Sequence, residues 1–363
     1  MRPMREPTPI SVEQALADWA RFDTVVDARS PAEFAGDHLP GAVSAPVLDD
    51  AERAAIGTLY NRRGAFEAKR AGAAIVARNV GTLIGTLFAT RDKEWRPLVY
   101  CWRGGNRSAA LATVMAAVGW RTSVLEGGYR AFRRHVIDDL AARAPRQRFV
   151  VLAGRTGTAK SRLLQHLAAR GEQVLDLEAL ASHRGSVLGG MPDAPQPGQK
   201  RFETLLWGAL RAFDAQRVVF VESESRKVGQ CQVPEGLIGA VRAAHCIRIE
   251  APIDVRSRFL LEEYRHFRDD VAHLRGLLGR LVPLHGRERV AQWQALAESG
   301  HWLALIERLL AEHYDPSYDR SMRRNYGAIG DAPSVDLPAT DESALQAAAA
   351  EIAERARLSQ PSA

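Results

Sequence analysis

The sequence predicts an α/β protein of two parallel-sheet domains in series, the second ending in a helical part. Three observations lead there. Short apolar strand candidates alternate with helical stretches along most of the chain, the pattern of parallel sheets covered on both faces. The length of 363 residues exceeds what one small core organises and fits two domains. The composition, 46% hydrophobic and 25% charged, is that of an average globular protein and excludes disorder over most of the chain. No apolar run reaches the roughly 18 residues of a spanning helix. The polar, Pro-rich stretch Met1 to Pro9 lacks the apolar centre of a secretory signal. Three cysteines make no disulfide framework and suit a reducing compartment. A cytoplasmic protein without membrane association is therefore expected. The net charge of +6 admits a polyanionic partner. Its bases are nearly all arginine, so Lys69, Lys93, Lys160, Lys200 and Lys227 stand out.

The first domain is expected over residues 10–137. Thr24–Asp27 reads as a buried strand, Leu98–Cys101 as a second, Ser108–Val118 as the helix after it, and Thr122–Leu125 as a third strand. Val136–Arg143 reads as helical. Residues 138–147, with Ala144-Pro145-Arg146-Gln147 at their end, form the expected linker. The second domain is expected over 148–325. It opens on the strand Arg148–Ala153, followed by a Gly-rich loop and a helix from Ser161 to Arg170. Gln173–Leu177, Arg217–Val221 and His245–Glu250 are further strands, and Pro252–His313 turns helical. Gly185–Gln199, rich in Gly and Pro, reads as a long loop of functional character. Residues 326–363 read as a C-terminal tail with one helix, Glu342–Arg357. There is no internal repeat.

Chemistry concentrates first in Cys101-Trp102-Arg103-Gly104-Gly105-Asn106-Arg107-Ser108. A buried strand delivers a cysteine into a loop whose N–H groups can converge, and Ser108 is expected to cap the helix that follows. The helix N-terminus, Arg103 and Arg107 add positive charge, so the loop suits a thiolate and an approaching anion. Gly104 and Gly105 let the backbone curl. Upstream lie Asp27-Ala28-Arg29-Ser30-Pro31-Ala32-Glu33-Phe34 and Asp37-His38-Leu39-Pro40-Gly41-Ala42, downstream Glu126-Gly127-Gly128. Together these resemble the rhodanese and phosphatase superfamily. Five residues separate Cys101 from Arg107, longer than in ordinary single-sulfur rhodaneses and the size that holds a tetrahedral phosphate-type anion. Cys231 and Cys246 carry no such context; Cys246 reads as a core thiol.

The second concentration is Gly154-Arg155-Thr156-Gly157-Thr158-Ala159-Lys160-Ser161, between a strand and a helix as a phosphate-binding loop requires. Its amides would cradle a diphosphate or triphosphate, Lys160 would touch the oxygens, and Ser161 could hold Mg²⁺. Ala159 replaces the usual Gly and puts nucleotide hydrolysis in question. The strand ending in Glu222-Ser223-Glu224-Ser225-Arg226-Lys227 offers Glu222 or Glu224 as a water-mediated Mg²⁺ partner, and a plain solvated strand end reads equally well.

A phosphatase-length rhodanese loop followed by a P-loop domain resembles the tRNA 2-selenouridine synthase family. Further segments agree: Asp49-Asp50-Ala51-Glu52-Arg53 with Gly57-Thr58-Leu59-Tyr60, Asp176-Leu177-Glu178, His183-Arg184-Gly185-Ser186, Glu262-Glu263-Tyr264 and Tyr314-Asp315-Pro316. The resemblance spans about residues 10–320 and implies a rhodanese-like domain followed by a P-loop NTPase-like domain. It implies a transferase acting on the wobble uridine of tRNA. Sulfur of a 5-substituted 2-thiouridine is replaced by selenium from selenophosphate, through an S-geranyl intermediate made from geranyl diphosphate. Cys101 would carry selenium as a selenylsulfide, and the phosphate loop would take the diphosphate. His183, Arg184, Glu222 and Arg226 enter as second-site candidates. A selenophosphate-supplying enzyme is the implied protein partner. For tRNA, the Arg-rich stretches Arg256–Arg289 and Arg320–Tyr326 are offered, with solvated helix faces as the plain alternative. Two other readings stay open: a Cys-dependent phosphatase or sulfurtransferase regulated by a P-loop domain, and a non-catalytic anion sensor.

Overall fold

The computed structural model describes residues 5–192, 194–327 and 329–358; the chain divides into two compact units, Met1–Asp139 and Leu140–Ala363. The first is built on β1 (Thr8–Ile10), β2 (Thr24–Asp27), β3 (Ala42–Ser44), β4 (Pro97–Tyr100) and β5 (Ser123–Leu125). They form one sheet in the order β1-β5-β4-β2-β3, parallel at every pairing. β4 is buried at all four positions because helices cover both faces, which is why it reads as an apolar run. Trp95 packs tilted against Phe88 (5.1 Å) and edge-on to Trp120 (5.0 Å), in one core cluster with Val26, Val99 and Met115.

β2, β4 and β5 match the expected strands to within a residue; β1 and β3, three residues each, were not anticipated. Nor was the helical hairpin between β3 and β4. Its first helix, Asp50–Arg63, starts at Asp49, which accepts from the Glu52 N–H (2.7 Å) while Glu52 accepts from the Asp49 N–H (3.0 Å). Gly64, with φ +85°, turns the chain into the second helix, Ala65–Gly85.

The second unit contains β6 (Arg148–Ala153), β7 (Gln173–Leu175), β8 (Val218–Glu222), a ribbon of β9 (Lys227–Val228) and β10 (Cys231–Gln232), β11 (His245–Glu250) and β12 (Ser334–Asp336). The main sheet runs β12-β11-β6-β8-β7, all parallel. The helix after the phosphate loop is Lys160–Ala169, and helices fill most of the span from Ile253 to Asn325. Cys231 is buried in β10 and its thiol donates to the Pro197 carbonyl (3.3 Å); burial pushes the Cys246 thiol, in β11, up to about 11.

Two expectations give way. Residues 138–147 are no irregular linker, because the helix Gly128–Arg143 runs through them into a 3-10 turn, Ala144–Arg146, and straight into β6. The segment after Tyr326 is not an appended tail. β12 pairs with β11, and the helix Glu342–Leu358 buries Leu345 and Ile352 beside Leu163, Leu164 and Leu167. Residues 359–363 lie outside the described residues. Among the described residues no helix is long and apolar enough to cross a membrane.

Candidate functional site

Cys101 follows β4 directly and is buried at the floor of its loop, 3% exposed. The helix begins at Asn106 with Gly105 as its cap, so Ser108 lies inside the first turn and is not the cap expected for it. The Ser108 hydroxyl stands 3.2 Å from Cys101 Sγ and 3.1 Å from the Gly105 carbonyl; donated to sulfur, its proton would stabilise a thiolate. The main-chain N–H groups of Arg103, Gly104 and Gly105 meet no protein acceptor among the described residues.

Three glycines press the loop into shape. Gly104, Gly127 and Gly128 have φ of +65°, +66° and +57°. A Cβ on Gly128 would stand 2.2 Å from the Cys101 carbonyl oxygen and 2.5 Å from Gly104 N, so Glu126-Gly127-Gly128 is the clamp that closes over the cysteine loop. The clamp is pinned where Tyr129 N donates to Cys101 O (2.8 Å) and Arg130 N to Trp102 O (3.0 Å), and Trp102 lies 5.4 Å from the Tyr129 ring.

Arg107 does not reach freely into the loop. It is held by Glu33 at 2.6 and 3.3 Å, and Glu33 also takes Arg53 at 3.1 Å. Arg103 and Asn106 are exposed. The upstream motif is a buried polar scaffold. Arg29 is bidentate to Asp27 and donates to the Asp37 carbonyl (2.6 Å), Tyr100 OH donates to Asp27 (2.7 Å) and Tyr129 OH to Asp37 (2.8 Å).

In the second unit the phosphate loop lies between β6 and the helix Lys160–Ala169. The N–H groups of Thr156, Gly157 and Ala159 have no protein acceptor among the described residues. Lys160 Nζ donates inward to the carbonyls of Gly154 (2.5 Å) and Arg155 (3.4 Å). Thr158 closes the loop on the Arg155 carbonyl (2.8 Å), and Arg155 itself is held outside by Asp319 (2.7 Å). Gly154 meets Thr158 and Ile249 too closely to carry a side chain.

The loop floors a cleft of about 640 Å³ where segments far apart in sequence converge. Ser161 Oγ donates to Glu178 (2.8 Å), and the Glu178 N–H donates to Glu222 (2.8 Å). Gly185, with φ +69°, lets the backbone lie against Glu224, which a Cβ would strike at 2.5 Å. Arg184 donates to the Glu263 carbonyl (2.9 Å) and carboxylate (3.1 Å), with Arg162 on the same carboxylate (2.7 Å). Asp315 takes both guanidinium nitrogens of Arg256 at 2.8 Å, and Arg256 donates to the Thr156 carbonyl (3.1 Å).

Residues 147–277 match the family described as "tRNA 2-selenouridine synthase AAA domain", and residues 8–135 match the rhodanese-like domain. Curated relatives named tRNA 2-selenouridine synthase include those of Nitrosomonas europaea (33% identical, covering 72% of this chain and 68% of the relative) and Hydrogenovibrio crunogenus (32%; 86% and 92%). That of Chromohalobacter salexigens is 34% identical over 88% of this chain and 94% of its own. The chain belongs to the tRNA 2-selenouridine synthase family. As a member it is an enzyme, with its rhodanese-like and P-loop-type domains in the expected order.

The cleft of this synthase-family member is rich in acid, yet its charge is muted. Burial, then the neighbours Asp176, Glu178 and Glu224, push Glu222 far above the usual carboxylate range, and its Oε2 is buried without a partner among the described residues. Burial and Glu178 push Glu224 up to about 8 against the pull of Lys160; Glu224 and Glu178 share a hydrogen bond, which needs a proton between them. Burial lowers Lys160, and the three glutamates work the other way. Burial and mutual repulsion thus disfavour the charged forms of Glu222 and Glu224, which mutes the acid facing Lys160.

The residues offered for Mg²⁺, Ser161 and Glu222 or Glu224, are all engaged by Glu178, and among the described residues no three His, Cys, Asp or Glu side chains stand where they could hold a metal. His183 turns its Nδ1 to the Gly185 N–H (3.1 Å), shaping the loop that carries Arg184, and burial lowers it. Arg226 is on no wall of the cleft; it is exposed and pairs with Glu235 (3.0 Å). Arg256, offered for tRNA, is buried and braces the phosphate loop; Tyr326 is buried too. Glu178, Glu263 and Asp315, from segments that carried the resemblance without an assigned role, and Tyr318, from none of them, belong to the cleft or its bracing.

Proposed function

We propose that this chain replaces sulfur by selenium at C2 of the wobble 2-thiouridine of tRNA, using the P-loop cleft for geranyl transfer and the Cys101 loop for selenium release. The observation that carries this reading is the continuity of the phosphate cradle with an apolar slot. Thr156, Leu260, Tyr264 and Tyr314 line both, and beyond them the slot is walled by Leu188, Phe267, Leu274, Trp302, Leu305 and Leu309. A ribose and base would leave polar edges unpaired there, whereas a hydrocarbon chain costs nothing to bury. A diphosphate ester with an apolar tail fits better than a nucleotide, and Ala159 in the loop accords with that.

In the first step the C2 sulfur attacks C1 of geranyl diphosphate. A C–S bond forms, the C1–O bond breaks, and diphosphate leaves into the N–H groups of Thr156 and Gly157 with Lys160 beside it. In the second, selenium must leave selenophosphate. A selenylsulfide formed on Cys101 by attack at selenium would have to expel phosphorus as phosphite, two electrons more reduced. Attack on phosphorus is redox-neutral: Sγ bonds to phosphorus, the P–Se bond breaks, and selenide departs with the electron pair. The N–H groups of Arg103, Gly104 and Gly105 would hold the phosphoryl oxygens, as the length of the loop suits. Selenide then adds to C2 and expels geranyl thiolate, and water hydrolyses the phosphocysteine.

Product nucleosides from a purified assay with 2-thiouridine tRNA test the division of labour. Lys160→Ala should lower geranyl transfer at least a hundredfold, whereas Cys101→Ser should accumulate S-geranyl nucleoside and form no selenouridine. Unchanged geranylation in Lys160→Ala, or no geranyl nucleoside in Cys101→Ser, overturns the reading.

A further inference from the structure

The hairpin between β3 and β4 is anchored at one end. Near the sheet, Val76, Val80, Leu83 and Ile84 of its second helix join the core of the first unit. Toward the Gly64 turn, burial narrows to Ala68 and Gly72, and the Ile56 side chain lies 3.7 Å from where a Cβ on Gly72 would stand. The turn itself displays two aromatic rings, Tyr60 at 57% and Phe66 at 73% exposure, among the most exposed large apolar side chains of the molecule. Asn61, Arg62, Arg63, Lys69 and Arg70 surround them, all exposed. Glu67, the one acid between Tyr60 and Arg70, is taken by Arg70 (2.6 Å); Arg62, Arg63 and Lys69 have no ion pair among the described residues.

Exposed rings are costly on a soluble surface unless something covers them. Rings interleaved with unpaired cations suit unstacked bases and the phosphates between them, because stacking accepts any base and the cations displace counterions. A second copy of the same tip would bring like charges together. We propose that the hairpin tip, through Tyr60, Phe66, Arg62 and Arg63, grips an unpaired loop of the RNA substrate. This rests on the reading that the substrate is tRNA, and it names a surface outside both chemical sites.

The test is binding of the full-length chain to an unmodified tRNA transcript with uridine at the wobble position, across a salt series. Tyr60→Ala/Phe66→Ala should weaken binding at least tenfold, as loss of two stacking contacts requires. Arg62→Gln/Arg63→Gln should reduce the slope of log K against log salt by about 1.4–1.8, the share of two phosphate contacts. Pyrophosphate binding and the thermal midpoint should not move in either variant. Unchanged tRNA affinity and salt slope overturn the proposal. A shift from dimer to monomer in sedimentation, with tRNA binding intact, also overturns it and assigns the tip to self-association. If the unaltered chain binds no tRNA, the substrate reading falls and takes the proposal with it.

Discussion

Ala159 is visible in the sequence as a departure, but its meaning lies in its backbone. It has φ +53° and ψ +28°, a left-handed conformation that costs an L-residue about 1–2 kcal/mol. Its methyl is buried among Leu163, Leu164 and Ile249, which returns about 0.8 kcal/mol. Glycine in its place would lose a further 0.4–1 kcal/mol or so through the freer unfolded chain. These terms nearly cancel, and this explains why alanine persists at a position that favours glycine. Ala159→Gly should therefore shift the free energy of unfolding in urea by less than about 1 kcal/mol. Ala159→Val, with a branched Cβ in the same conformation, should cost more than about 2 kcal/mol. A large gain from glycine would show that strain outweighs burial. The strand-loop-helix settings of Cys101 and Lys160 were legible because their motifs are local. The Glu33–Arg107 pair was not, since nothing at either residue announces a partner 74 positions away.

Among elements, legibility followed burial. β4, β6 and β8 are apolar runs because both sheet faces are covered, and they were readable; β1, β3 and β12, three residues each, lack even the Val-Leu pair that marks the equally short β5 and β7. The end of β8 has a consequence for pH. Glu222 and Glu224 emerge there against Glu178, which caps neither but binds both, and against Lys160 from the loop. Since folding raises Glu224 to about 8, its contribution to stability is full below the ordinary carboxylate range and is lost as pH rises toward 8. Ionisation also adds negative charge beside Lys160 and the proposed diphosphate site. Pyrophosphate affinity, followed by calorimetry from pH 6.5 to 9, should fall through about pH 8 in the unaltered chain. Glu224→Gln should flatten that fall. A decline that persists unchanged in this variant belongs to Lys160, which burial lowers.

At the scale of the whole chain, the C-terminal segment decides how far the second unit extends. Composition made it look dispensable: residues 326–363 are rich in Pro and Ala, and alanine helices are ambiguous between surface and core. In the fold β12 closes one edge of the sheet, with Arg248, Ile249 and Glu250 paired to Ser334, Val335 and Asp336. Val335, Leu337, Leu345 and Ile352 are buried, at about 1.5–3 kcal/mol each. Together they supply about 6–12 kcal/mol, comparable to the 5–15 kcal/mol or so that holds a whole domain. The helix they secure packs on Lys160–Ala169, so the C-terminus supports the helix that sets the phosphate loop. A chain ending at Tyr326 should lose cooperative thermal unfolding of the second unit and bind pyrophosphate at least tenfold more weakly. Cys101 alkylation, which reads the first unit, should keep its rate. The milder Ile352→Ala should retain the fold and lower the thermal midpoint, because a cavity there costs about 2–5 kcal/mol. If the truncated chain melts and binds like the full one, burial of these four side chains contributes far less than their area implies, and the phosphate loop is held by its own sheet alone.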